Sequence, residues 1–571
     1  MDIPNLRWWG WGTLDRDYSL EKQPAFWPTL QKWLQLSDEA IAYETPPIPW
    51  EDIALRPCRM DDPVLHSLRR LVGDKAVRTD QRCRIEHAYG KSYRDLIRIR
   101  AGYVPHPPDV VVYPTNQREI AAVVAWAADR DIIIIPFGGG SSVLGSVEPP
   151  ADDDRPVLTL DLASLDRVLS IDPISRTARI QAGATGPEVE AQLNAQGFTL
   201  GHFPQSFEFS TLGGWIATRS AGQNSVGYGT IEHMTQAVRL VTPVGIIETC
   251  DAPAHAAGPG ILELMIGSEG IYGVITEATM RIHPQPAARD YRGILFPTLE
   301  DGLAACQEIM QSTTLHPAIV HLSDPAETAA RAVMEHEQRG LRRVTEQLVG
   351  GYLRYQGFDL LSGSSLMLLG FEGEMEEIAR QWRVALAICR TYSGRSLGRS
   401  VGRSWMRDRY TQPYLRDTLI GHGILVDTME TTAPWSRLMT IYQAMIGAIE
   451  GAIVATDGGP GHVMTHISHA SPHGASLSAT LLARQIPDAD PLARQAQWQE
   501  IKRAATDAII AAGGTLTNHR GIGQDHIPWL KDKIGPLGIQ IMHTVKRTLD
   551  PYCILNPHIL IPLPSDDLAR Y

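Results

Sequence analysis

Ile132-Ile133-Ile134-Ile135-Pro136-Phe137-Gly138-Gly139-Gly140-Ser141-Ser142-Val143-Leu144-Gly145 is the stretch on which the reading of this chain turns. Four consecutive isoleucines make a β-branched apolar run, which reads as a buried strand. Three glycines and two serines follow it directly. Successive glycines let backbone N–H groups turn inward as an anion nest, and the serine hydroxyls add donors, so a diphosphate is the fitting guest. No GK[ST] follows, so the lysine and hydroxyl of a Walker A loop are missing. Val143 stands where GxGxxG needs its third glycine, which excludes that dinucleotide fingerprint too.

Working outward, Asp109–Pro114 reads as a short strand. Asn116 with Glu119 three residues on is a helix cap, and Ile120, Val123, Val124 and Ala127 then recur at i, i+3, i+4 and i+7. Strand, helix and strand in this compass form a βαβ unit. Downstream, Val157–Asp161, Val168–Ile171, Thr177–Gln181, Val238–Glu248 and Gly273–Ile282 read as strands, with a helix at Gly186–Gln196. Two more glycine-bearing segments lie among them. One is Gln205-Ser206-Phe207-Glu208-Phe209-Ser210-Thr211-Leu212-Gly213-Gly214, continuing to Thr218-Arg219-Ser220-Ala221. The other is Glu269-Gly270-Ile271-Tyr272-Gly273-Val274-Ile275. Three such segments in this order imply one long ligand held along its length, with Gly213 and Gly214 allowing close approach to a flat ring.

From about residue 290 the texture changes. Strands at Arg292–Phe296 and Leu366–Phe371 alternate with helices at Leu299–Gln311, Glu374–Thr391, Pro434–Ala452 and Gln497–Ala512. This pattern suits a ferredoxin-like α+β cap. A short strand after Gly513-Gly514 and a last helix at Ile539–Leu549 are expected.

The 571 residues carry 52 Lys and Arg against 64 Asp and Glu, a net charge of −12. An acidic balance argues against a nucleic-acid partner. The 6 cysteines form no CxxC, so a zinc ribbon or dithiol motif is not expected and free buried thiols are the default. The opening MDIPNLRWWGWG lacks the basic and apolar regions of a secretory signal, no apolar run approaches the roughly 20 residues of a bilayer span, and LARY is not an SKL-type address. The expectation is a soluble cytoplasmic protein with a membrane surface as a candidate contact. Trp8, Trp9 and Trp11 can dock on the chain or on lipid, and packing on the chain is preferred because exposed aromatic patches are rare.

The segments PFGGGSSV, QSFEFSTLGGWIATRSAG and GSEGIYGVITEATMRIHPQP resemble the FAD-binding domain of the vanillyl-alcohol-oxidase (PCMH-type) flavoproteins. WGWG, GFD at Gly357–Asp359, YLRD at Tyr414–Asp417, METTAPW at Met429–Trp435 and GGTLTNHRGIG are similar to the alkyldihydroxyacetonephosphate synthase branch, and the resemblance covers nearly the whole chain. It implies an α+β fold in three spans. These are a mostly helical segment at 1–105, a PCMH-type FAD-binding domain at 106–286, and a substrate or cap domain with a C-terminal oxidase-type segment at 287–571. It implies FAD, with its pyrophosphate at Pro136-Phe137-Gly138-Gly139-Gly140-Ser141-Ser142 and its flavin and chain along the other two segments. Ser141 and Ser142 stand where some relatives carry a flavin-linking histidine, so the FAD is expected to be non-covalent. A lipid-like, carboxylate or phosphate substrate and a homodimer follow by the same analogy.

The implied reaction exchanges the acyl group of acyl-dihydroxyacetone phosphate for a fatty alcohol through a flavin N5 adduct, without net redox, as in ether-lipid synthesis. Arg416 matches the family's phosphate-binding arginine. A surface salt bridge between Arg416 and Asp417 is the plain alternative. Other positions depart. Anchoring on Arg484 puts Ala483 where the family has its catalytic tyrosine. His321 stands for a second arginine, and Asn518-His519-Arg520 for a run of three histidines. His519 and Arg520 suit an oxyanion or a polarised carbonyl. A replacement base could come from Thr465–His473. On a strand, His466 and Ser468 share one face and His469 the other, which makes His469 a candidate. No metal is expected, since a site from His466, His469 and His473 would need a non-extended segment. The alternative is an FAD oxidoreductase that passes hydride from a hydroxy acid or alcohol to the flavin. A non-catalytic flavin-binding protein ranks third.

Overall fold

The computed structural model describes residues 6–15, 25–42, 44–253, 255–335, 358–359, 363–487 and 489–562. Gly357 of the GFD motif and the LARY terminus lie outside these residues.

The first sheet begins at β1 (Val77–Arg78). Helix α1 (Tyr93–Arg100) follows, opened by a capping box between Ser92 and Asp95 and buried along its whole length. Then come β2 (Val110–Val112), α2 (Gln117–Ala128), β3 (Ile133–Phe137) and β4 (Val157–Asp161), in the order β1-β2-β4-β3. The βαβ unit is present, with β4 inserted parallel between β2 and β3. Asn116 caps α2 by accepting from the Glu119 N–H at 3.1 Å. Ile120, Val123, Val124 and Ala127 are buried against the sheet; full burial of each larger one contributes about 1.5–3 kcal/mol.

The second sheet is antiparallel: β5 (Val168–Asp172), β6 (Thr177–Gln181), β7 (Thr235–Thr242), β8 (Gly245–Glu248) and β9 (Val274–Arg281), ordered β5-β6-β9-β7-β8. Helix α3 (Leu212–Ala217) packs on it. The single strand expected over Val238–Glu248 is a hairpin, because Pro243 has no N–H to extend the ladder.

The cap is one seven-stranded antiparallel sheet. In chain order it holds β10 (Ala288–Phe296), α4 (Leu299–Gln311), β11 (Ile319–Ser323), α5 (Pro325–Glu335), β12 (Ser365–Gly373), α6 (Met375–Thr391), β13 (Arg395–Gly398), α7 (Gln412–Gly421) and β14 (Ile424–Pro434). Helix α8 (Leu438–Ala455), β15 (His462–Ser471), β16 (Gly474–Arg484), α9 (Pro491–Ala511) and α10 (Ile527–Leu549) complete it. The spatial order is β13-β10-β12-β11-β15-β16-β14. The strands run longer than their sequence cores, Leu299–Gln311 matches its expected bounds, and three elements differ in kind. Residues after Gly514 form no strand; they run beside the edge strand β14, where Thr515 and Thr432 exchange N–H bonds. Helix α10 starts twelve residues early and is kinked, because Gly535 at φ +74° precedes Pro536. Trp435–Ala455 is one helical stretch long and apolar enough to cross a membrane, a length missed by looking for an unbroken apolar run. Its Leu438, Ile441, Met445, Ile449 and Ile453 are buried in the cap core.

The three spans interleave. Trp8 and Trp11 are buried, and Trp9 lies between the guanidiniums of Arg7 and Arg100, each 5.0 Å from its ring. Ile134 of β3 donates to the Ile554 carbonyl at 2.7 Å, so the C-terminal residues extend the first sheet. Arg94 of α1 reaches Glu148 at 2.7 Å and Asp525 at 3.2 Å, and Lys502 of α9 reaches Asp525 at 2.9 Å. The Glu269 carboxylate, also buried, accepts from Ser146 Oγ at 2.7 Å and from the N–H groups of Ile522 and Gly523 at 2.6 and 2.9 Å.

Two outcomes follow from these buried charges. Arg94→Met leaves Glu148 and Asp525 short of a cation, so it should destabilise by about 3–5 kcal/mol, read as a lower apparent Tm. Burial raises Glu269 to about 7, against which Ser146 and the two amides pull. Its contribution to stability is therefore full below its ordinary value of 4.5 and is lost as pH rises through about 7. Glu269→Gln should flatten the fall in Tm between pH 5 and pH 8. An unchanged slope would show that Glu269 does not titrate there.

Candidate functional site

The three glycine segments meet. A Cβ on Gly139 would lie 1.7 Å from the Phe209 carbonyl oxygen, and one on Gly138 would lie 2.3 Å from Thr211 Oγ1. Gly140 has φ +60°, open to glycine at no steric cost. The first loop thus presses bare backbone onto the second. The third is tied in by Gly267 and Glu269, whose N–H groups donate to Ile216 and Ala217 of α3 at 2.9 and 3.0 Å, while Gly270 abuts Pro136. Half-buried glycine peptide groups at a strand end, flanked by the Ser141 and Ser142 hydroxyls, fit a dinucleotide diphosphate. Buried Ser268 Oγ and His202 Nδ1 have no hydrogen-bond partner within the described residues, as expected where a polar ligand completes the site.

Several expected cofactor side chains are spoken for within the chain. Gln205 is exposed and donates to Gln412. Phe207 stacks on Tyr410 at 4.9 Å, Glu208 accepts from Tyr414 at 2.5 Å, and Ser210 accepts from Trp215 at 2.7 Å. These contacts tie the second loop to α7. Ser206 bonds Ser210, Thr211 caps α3, and Thr218 bonds the Gly214 carbonyl. Arg219 is 46 % exposed beside Glu263, directed to the surface. Ser220 bonds His202 at 3.2 Å, while Ala221, Ile271, Gly273, Val274 and Ile275 are buried. Tyr272 donates to the Met542 carbonyl and Phe137 packs on His87. Glu269 spends its carboxylate on the C-terminal segment.

That segment carries His519 and Arg520 to the edge of the cap sheet. Glu430 of β14 holds both: its carboxylate lies 3.1 Å from His519 Nδ1 and 3.0 Å from Arg520 Nε. It also accepts from the His519 N–H at 2.9 Å. Burial opposes the charge, but Arg520 and His519 hold Glu430 down at about 2, so it is an anchor that stays ionised. Arg520 also donates to Thr428 Oγ1 at 2.6 Å. Arg416 of α7 donates to the Lys91 carbonyl at 3.1 Å and lies 3.4 Å from Asp427, itself bonded to Trp498. Asp417 faces the other way and accepts from the Trp11 N–H at 2.6 Å, so an Arg416–Asp417 surface pair is not formed. Burial lowers Arg416, Asp427 opposes, and the nearby Arg520 lowers it further. The two guanidiniums, 11 % and 16 % exposed, thus feel one another's charge, and each is held by its own carboxylate, Asp427 for Arg416 and Glu430 for Arg520.

The histidines depart from strict alternation. His469 sits at φ +46° in a bulge of β15, between the Ser468 and Ser471 pairings with β16. The extra residue resets the period of two. His469 and His466 consequently approach the same group of imidazoles, with the His469 ring 5.1 Å from that of His519 and the His466 ring stacked 4.2 Å from that of His321. The bulge therefore breaks the simple alternation on which the opposite-face expectation rested. Burial brings His469 down to about 3, with His519 adding to it, so it is neutral at working pH. Burial also lowers His519. Ala483 is fully buried in the cap core, near Gly458. Glu430, Asp427, Lys91 and His202 were not singled out from sequence. Glu430 lies inside the quoted METTAPW motif, where two flanking threonines on an otherwise apolar strand were the available signal.

Comparison with known proteins agrees with this geometry. Residues 108–251 match the FAD binding domain family, and residues 285–559 match the C-terminal domain of FAD linked oxidases. An alkyldihydroxyacetonephosphate synthase of Dictyostelium discoideum is 36 % identical over 524 residues, covering 91 % of this chain and 84 % of that one. A solved alkyldihydroxyacetonephosphate synthase superposes with a TM-score of 0.82 at 32 % identity, over 97 % of both chains. More distantly, a probable mitochondrial D-lactate dehydrogenase of Danio rerio is 24 % identical over 88 % of this chain and 92 % of that one. p-Cresol methylhydroxylase shares the fold, with a TM-score of 0.65 at 15 % identity over 90 % of this chain and all of that one. The chain is an FAD-dependent enzyme of α+β fold and belongs to the alkyldihydroxyacetonephosphate synthase family.

Proposed function

We propose that the chain exchanges the acyl group of an acyl-dihydroxyacetone phosphate for an alkyl group from a fatty alcohol. The observation that carries this reading is that two largely buried guanidiniums, Arg416 and Arg520, are each fixed by a carboxylate of β14, with His519 on the same Glu430 as Arg520. Two buried guanidiniums match the double charge and bidentate geometry of a phosphate monoester. The Lys91 carbonyl and Asp427 aim Arg416, and Glu430 with Thr428 aims Arg520. Bound FAD, held without a covalent link at Ser141 and Ser142, supplies an electron sink beside the substrate carbon. Proton handling falls to the imidazoles. Asn518 Nδ2 donates to Nδ1 of His519 at 3.0 Å, so the neutral ring carries its proton on Nε2 and can deliver it to the substrate, with Glu430 3.1 Å away to stabilise the ring when charged. His469, neutral and in edge contact with His519, is the second group able to pass it on.

Ala483 favours a second reading, oxidation of a hydroxy acid or alcohol. Without a phenol in place, His519 would act as base and the two arginines would hold a carboxylate. A homodimer, the three-span division at 105 and 286, and a cytoplasmic place with peripheral membrane contact belong to the same proposal. Leu537 and Ile541, exposed about one turn apart after the α10 kink, and exposed Ile534 just before it, support the membrane contact.

Arg416→Ala should keep its flavin spectrum but lose about 2–5 kcal/mol of transition-state binding, more than ~30-fold in kcat/KM, and Arg416→Lys should recover only part. Unchanged turnover would remove Arg416 from the site. Under anaerobic conditions, acyl-dihydroxyacetone phosphate plus fatty alcohol should give alkyl product while the flavin stays yellow. Bleaching of the flavin by a hydroxy acid, with no alkyl product, would establish the oxidase reading instead.

A further inference from the structure

His321, Glu327 and His466 form a second constellation, between β11, β15 and the start of α5. It has no part in the chemistry assigned above. His321 Nε2 lies 3.2 Å from Glu327 Oε1, and His466 Nδ1 lies 2.8 Å from Glu327 Oε2. The side chains are only 12–16 % exposed, and the donor atoms all fall within 4.8 Å of one another.

The protein side chains alone leave this cluster frustrated. Arg331 donates to Glu327 Oε1 at 2.7 Å and also points the same nitrogen at His321 Nε2, 3.1 Å away. If Nε2 carries a proton, it can donate to Glu327 but meets the Arg331 N–H donor to donor. If Nε2 carries a lone pair, it can accept from Arg331 but faces the carboxylate oxygen acceptor to acceptor. Neither tautomer satisfies both contacts. A divalent cation among the three donors removes the conflict, since both imidazole nitrogens and the carboxylate then present lone pairs to it.

The geometry points to a binding site for one divalent cation of the zinc type, ligated by His321 Nε2, His466 Nδ1 and a Glu327 carboxylate oxygen. Bonds of about 2.0–2.1 Å in a tetrahedron place ligand atoms about 3.3 Å apart; His321 lies 3.2 Å from Glu327 Oε1 and His466 2.8 Å from Oε2, so a small rotation of the carboxylate brings one oxygen between the two imidazoles. Two donors come from the paired strands β11 and β15, where Ser323 lies opposite His466. The third comes from the first turn of α5, where Asp324 accepts from the Glu327 N–H at 2.7 Å. Three protein donors leave a fourth position for an oxygen ligand. Arg331 is the built-in competitor, standing as a cation where the metal would stand.

The site can be tested without turnover. Purified FAD-loaded protein is stripped with chelator, dialysed against micromolar Zn²⁺, and assayed for metal per flavin, with affinity read by calorimetry. The wild type and the exposed-histidine control His473→Ala should each retain about one zinc per chain, while His321→Ala and His466→Ala should each weaken binding by at least ~10-fold. Arg331→Met removes the competing cation without touching a ligand and should tighten zinc binding. The site is refuted if the wild type holds no stoichiometric zinc, if His321→Ala binds as well as wild type, or if Arg331→Met binds more weakly.

Discussion

A single buried carboxylate sets where everything else can sit. Glu269 opens the third glycine loop, and its two oxygens take hydrogen bonds from Ser146 behind the first loop and from the amides of Ile522 and Gly523. A carboxylate out of water must have its lone pairs filled. Here the filling groups come from two distant parts of the chain, so satisfying one residue fixes the spacing of the cofactor loops and the C-terminal segment together. His519 and Arg520 stand immediately before those two amides. Their reach into the site is a consequence of how Glu269 is solvated by protein.

The cap answers with a matching anchor. Glu430 is held ionised by Arg520 and His519, and it orients one cation and one imidazole at once. Arg416 arrives from the opposite side on α7, which is tied to the second cofactor loop through Glu208–Tyr414 and Phe207–Tyr410. Cofactor position and anion position are therefore mechanically linked. A shift of the second loop moves the helix that carries Arg416. Such linkage is what a reaction governed by positioning needs.

What could be read from sequence follows the range of the interaction. The glycine loops were legible because their cause is local: backbone that must stay bare has to be glycine. The α2 cap was legible because Asn116 and Glu119 are three residues apart. The hairpin turn at Pro243 and the Gly535–Pro536 kink had local signals that were passed over. The bulge at His469 had none, since a period of two is the default until one residue is left unpaired. The roles of Glu430, Lys91 and the Glu327 cluster were also invisible. Each depends on partners 89, 325 and 139 residues away, brought together by strand order and not by spacing.

The strap formed by Trp11 on Asp417 carries a consequence for how the enzyme is born. The contact joins residues 406 apart, and Gly10 sits so close that a Cβ there would lie 2.3 Å from the carboxylate. At about 5–20 residues per second, a ribosome needs roughly 20–80 s between making one end of this contact and the other. Through that interval the first tryptophans have no acceptor and the first sheet lacks the Ile554 carbonyl that completes Ile134. The nascent FAD half must wait, apolar edge open, until nearly the whole chain has emerged. Closing these contacts is thus necessarily a late step, because their two ends are made far apart in time.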